Sequence, residues 1–107
     1  MSRTWALVTA AVVIGMSAGA RAADHEISQK DKAFSAATLK IRAGDRVIFK
    51  NDDEITHNVF STTKGSEFNL RAQAPHTSAP VTFANEGVVE IRCAFHTKMK
   101  LAIVVAK

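Results

Sequence analysis

The chain has 107 residues, with 14 Lys and Arg against 10 Asp and Glu, four His and a single Cys, a length that suits one domain. Its formal charge of +4 comes without a Lys/Arg run or a basic stripe interleaved with aromatics, which argues against nucleic acid as a partner. One cysteine excludes a framework of internal disulfides.

The first 22 residues read as an export signal. Met1 to Thr4 is short and positively charged, Trp5 to Met16 is uncharged and almost wholly apolar, and Ala20-Arg21-Ala22 is a small-x-small pattern suited to cleavage before Ala23. A helix of those twelve apolar residues would rise about 18 Å, short of the ~30 Å hydrocarbon core, so no membrane anchor is expected after cleavage. No lipid-bearing cysteine and no twin-arginine pair follow, which favours a Sec-type route to the periplasm. The remaining domain, residues 23–107, loses Arg3 and Arg21, and its formal charge falls to +2.

Beyond the signal the chain reads as short strands. Thr38 to Arg42 alternates polar and apolar, Ala43-Gly44-Asp45 offers a turn, and Arg46 to Lys50 resumes the alternation. Asn51 to Glu54 is a polar turn before Thr56 to Ser61. Thr63 to Ser78, with Gly65 and Pro75, lacks a strand pattern and reads as a long connection with at most one helical turn. Val81 to Phe83, Val88 to Cys93 and Leu101 to Ala106 complete the set. Six or seven strands of this kind predict an all-β fold, a β-sandwich with Greek-key connections. Alternate residues of a strand share a face, so Val89, Ile91 and Cys93 point one way and Glu90 and Arg92 the other. Cys93 thus ends a core-facing row where a loop begins.

An unpaired thiol is a liability in an oxidising compartment unless it is buried, paired with another chain or bound to a metal. Cys93-Ala94-Phe95-His96-Thr97-Lys98-Met99 sets Cys, His and Met at the spacing C-x2-H-x2-M, and His57 stands upstream in Thr56-His57-Asn58-Val59. A soft thiolate, two imidazoles and a weak axial thioether suit one copper ion in both oxidation states, and metal binding would keep Cys93 from random oxidation. Any one of these residues alone reads more simply, as a buried thiol, a hydrogen-bonded histidine or a core methionine; the four in this order point to a metal. His25, near the new N-terminus, reads as an adventitious copper(II) ligand at best, and His76 as a solvated loop residue. Gly44 and Gly87 are turn residues. No nucleophile motif supports hydrolysis.

The two segments around His57 and Cys93 resemble the cupredoxin family, the type 1 blue copper proteins, over about Ala33 to Lys107. The short Cys-His-Met spacing is similar to that of the amicyanin branch; plastocyanins and pseudoazurins place two more residues before the methionine. The resemblance implies a cupredoxin-like sandwich with His57, Cys93, His96 and Met99 as ligands of one type 1 copper ion, and Asn58 tethering the ligand loop near the cysteine. The chain departs from the family pattern at Thr97, where proline is frequent, at Lys100, where a small residue is common, and at Glu90 and Arg92, where aromatics are frequent.

The expected role is one-electron transfer by a monomer that is not an enzyme. His96 is the expected electron entry and exit, rimmed by Ala94 and Phe95, with Ala74 and Pro75 from the long connection. Arg92, Lys98 and Lys100 lie close in sequence and favour transient redox partners with an acidic docking patch. The competing role is copper homeostasis, although residues 23–107 hold no Met-rich or His-rich tract. A third is a β-domain with zinc or no metal, disfavoured because zinc rarely recruits methionine.

Overall fold

The computed structural model describes residues 22–107, so all of the expected export signal except Ala22 lies outside the described residues. Among them are nine strands and no helix: β1 (Asp24–Lys30), β2 (Ala33–Phe34), β3 (Thr38–Arg42), β4 (Arg46–Asn51), β5 (His57–Ser61), β6 (Phe68–Gln73), β7 (Ser78–Thr82), β8 (Gly87–Arg92) and β9 (Lys100–Ala106). They form two sheets, ordered β2-β1-β4-β7 and β3-β9-β8-β5-β6. Each sheet holds one parallel pair, β1 with β4 and β3 with β9. Parallel neighbours require a crossover, so the chain passes repeatedly from one sheet to the other and closes the expected sandwich.

Alternation decides which side chains fill the space between the sheets. In β9 the buried positions are Leu101, Ile103 and Val105, and in β4 they are Val47, Phe49 and Asn51. Ile27, Val47 and Phe49 from one sheet meet Ile41, Val59, Val89, Ile91 and the β9 row from the other. Each large apolar side chain fully buried here contributes about 1.5–3 kcal/mol. Phe49 and Phe83 each pack a ring against Phe68, with centroids 6.1 and 5.9 Å apart. The β3–β4 turn falls where the sequence placed it. Gly44 has φ +97°, which a side chain would disfavour, and Asp45 N–H donates to the Arg42 carbonyl at 3.0 Å.

Three expectations need correction. The strands number nine because β1 and the two-residue β2 precede the first one read from the pattern and β6 lies within the long connection. The connection from Thr63 to Ser78 is not without strand and has no helical turn: Phe68–Gln73 is β6, paired antiparallel with β5 at the edge of its sheet. An edge strand needs no apolar run, and here Asn69, Arg71 and Ala72 are all exposed, with Arg71 at φ 64°. Finally, the strand read at Val81 starts at Ser78 and includes Pro80. Its missing N–H is tolerated because β7 is itself an edge.

Candidate metal centre

The antiparallel hairpin β8–β9 makes the ligand loop. Its last pair, Arg92 with Lys100, leaves Cys93 to Met99 to cross one end of the sandwich. As the alternation requires, Val89, Ile91 and Cys93 are all buried, at 1%, 0% and 2% exposure. The loop is fastened from two sides. Met99 N–H donates to the His96 carbonyl at 3.0 Å, and an Arg92 Nη2–H donates to the Thr97 carbonyl at 3.0 Å. Met99 is 1% exposed.

His57 opens β5 and is fully buried. Its pairing with β6 slips between Asn58 and Phe60, a bulge of the kind that re-aims side chains beside sites. His57 Nδ1 lies 3.2 Å from His96 Nδ1, and the rings meet edge-on with centroids 4.9 Å apart. Cys93 Sγ is 3.8 Å from His96 Nδ1. One donor atom from each of His57, Cys93 and His96 lies within 4.8 Å of the other two, and no further cluster of this kind occurs among the described residues.

Asn58 ties three segments to this cluster. Its backbone N–H points at Cys93 Sγ (3.4 Å), and its Oδ1 accepts the Ala94 N–H (3.1 Å). Its Nδ2 donates to Asn69 Oδ1 and to the Arg71 carbonyl, both at 2.8 Å. The side chain therefore bridges the bulged strand, the edge strand and the start of the ligand loop.

A residue that the sequence did not single out stands behind His57. Asp53 Oδ2 is 2.8 Å from His57 Nε2 and accepts the Lys32 N–H at 3.1 Å. The His57 contact first, and then the Lys32 N–H, hold the Asp53 carboxyl down at about 2. Nothing in Asn51-Asp52-Asp53-Glu54 marks it out from its acidic neighbours. Lys32 was missed too; it lines a shallow depression with Phe95, His96, Thr97 and Lys98.

His96 is the half-exposed member of the cluster, between exposed Ala94 and Phe95 on one side and exposed Thr97 and Lys98 on the other. His25 and His76 stand apart from it. His25 Nε2 is 2.9 Å from Asp45 Oδ2, and His76 Nε2 is 3.0 Å from Glu54 Oε2.

Two imidazole nitrogens and a thiol facing one another, with the second nitrogen of His57 already engaged by a carboxylate, form a donor set that fits type 1 copper. The model for copper binding proteins of the plastocyanin/azurin family matches residues 21–106. The chain belongs to this family. It is 28% identical over 88 residues to the methylamine utilization protein MauL of Methylorubrum extorquens, covering 81% of this chain and 77% of that one. Among solved structures, a purple cupredoxin from Nitrosopumilus maritimus superposes with a TM-score of 0.68 at 23% identity, covering 77% of this chain and 99% of the other. Amicyanin from Paracoccus versutus superposes with a TM-score of 0.66 at 23% identity, over 80% and 82% of the two chains. These structures share the fold of this cupredoxin, and copper is its cofactor.

Proposed function

We propose that this cupredoxin is an exported one-electron carrier in which His57, Cys93, His96 and Met99 hold one copper ion. The observation that carries the reading is the convergence of His57, Cys93 and His96 donor atoms within 4.8 Å, with His96 the member that reaches the surface. Bound there, copper supplies a reversible Cu(II)/Cu(I) couple. The chain does the rest. Sandwich packing and the Asn58 tether hold the imidazoles and the thiolate in one arrangement, so that a change of oxidation state demands little movement. Burial of His57, Cys93 and Met99 keeps water away. Cys93 gives strong electronic coupling, and the exposed edge of His96 is the route in and out.

Phe95, 55% exposed, and Ala94 offer a small apolar rim for a partner. Lys98 and Lys32 set positive charge beside it, which supports transient docking to an acidic patch at a raised association rate. Such encounters bury little surface, and no substrate is converted. Residues 1–22 act as a Sec-type signal cleaved before Ala23, which releases a monomer to the periplasm.

The purified protein loaded with copper(II) is expected to show an intense visible thiolate-to-copper band and to cycle without losing metal. Cys93→Ser is expected to abolish the band. A colourless wild type, or colour that survives Cys93→Ser, refutes the site. Transfer of the metal to an acceptor protein in place of reversible cycling points to copper delivery instead.

A further inference from the structure

We propose that Asp53 is a positioning residue for this centre: its carboxylate holds His57 in the Nε2–H form with Nδ1 turned to Cys93 and His96, and its charge lowers the reduction potential of copper bound there. The inference rests on the copper reading above and adds a residue to it.

His57 is fully buried and has two nitrogens to satisfy. Nδ1 faces His96 Nδ1 at 3.2 Å, and Nε2 faces Asp53 Oδ2 at 2.8 Å. A neutral imidazole carries one N–H, and a carboxylate can only accept. The proton therefore sits on Nε2, and the lone pair of Nδ1 is left for the metal.

The carboxylate does not depend on His57 for its own position. Oδ2 also takes the Lys32 N–H from the β1–β2 turn. The Asp53 amide donates to Asn51 Oδ1 at 2.9 Å, and fully buried Asn51 donates in turn to the carbonyls of Ile55 and Gln73. Two separate loops fix the group before any metal arrives. An outer hydrogen bond of this kind sets the ring orientation and raises the basicity of the ligand. The Asp53 side chain is 13% exposed, so its charge is screened much less than that of an open surface group. A negative charge held behind a ligand favours the more positive oxidation state of the metal.

A neutral amide at residue 53 can still accept from Nε2, so Asp53→Asn separates charge from hydrogen bonding. In the copper-loaded protein, Asp53→Asn should keep the visible band and raise the midpoint potential. At a fixed solution potential the Cu(II)/Cu(I) ratio is expected to fall about tenfold, which is about 59 mV for one electron. Asp53→Glu should return most of the shift. A ratio changed less than about twofold in Asp53→Asn, with the band intact, overturns the electrostatic role.

A second measurement needs no variant to fold. Nitrogen-15 NMR of the metal-free wild type should find the His57 proton on Nε2, and finding it on Nδ1 overturns the positioning role. A wild type with neither band nor reversible wave sinks the copper-carrier reading itself. A wild type that cycles while Asp53→Asn leaves its potential unmoved sinks only this inference.

Discussion

Replacing Asn58 by Ala tests how the ligand loop is held. The side chain is 3% exposed and makes three hydrogen bonds, to Ala94 N–H, Asn69 Oδ1 and the Arg71 carbonyl. Each such bond contributes about 1 kcal/mol net, so three come to about 3 kcal/mol. Ala94, Asn69 and Arg71 are themselves exposed residues, and water can replace part of what Asn58 gave them. The expected loss is about 2 kcal/mol, or roughly 8–16 °C in Tm for a domain of this size. The assay is urea unfolding of the copper-free protein, since bound metal would add its own stabilisation. The midpoint should fall with an unchanged m-value. Asn58→Asp keeps an acceptor for Ala94 N–H but sets a buried carboxylate oxygen against two acceptors, Asn69 Oδ1 and the Arg71 carbonyl, and should cost at least as much as Ala. A loss below about 0.5 kcal/mol for Asn58→Ala would refute the claim that this side chain ties the three segments together.

Two further outcomes follow from the geometry. Asp45 is 4% exposed and accepts from the Ala23 N–H, His25 Nε2 and the Arg42 N–H, which hold its carboxyl at about 2 against an ordinary 3.8. Because the folded value is the lower one, its contribution is complete above about pH 4 and lost as pH falls toward 2. Unfolding midpoints between pH 5 and pH 2 should drop less steeply in Asp45→Asn than in wild type. Met99→Leu exchanges residues of similar volume at a 1% exposed position, so it should cost less than about 1.5 kcal/mol in stability. Spectroelectrochemistry of that variant should find the visible colour retained and the potential raised. Loss of the colour would argue against a weak axial role for the thioether.

Much of the chemistry was legible in the order of residues. Cys93, His96 and Met99 fall within seven positions, and the row Val89-Ile91-Cys93 needed only the two-residue period of a strand to predict a buried thiol. Local patterns of this kind depend on near neighbours, and the sandwich kept them. The edge strand β6 was not legible. One side of it pairs with β5 and the other is open, so its residues can be polar, and no periodicity betrays it.

The sequence by itself determined the donor types, their spacing in the loop and the faces they take in their strands, because each follows from separations of a few residues. Only the tertiary structure decided that the ring of His57 lands beside His96, 39 positions away in sequence. It also decided that Asn58 closes on Ala94 and that, of the acidic residues in one turn, Asp53 is the one that backs the histidine. Those pairings depend on where two sheets meet and where a bulge falls. They arise from packing many side chains at once, and no short stretch of the chain contains them.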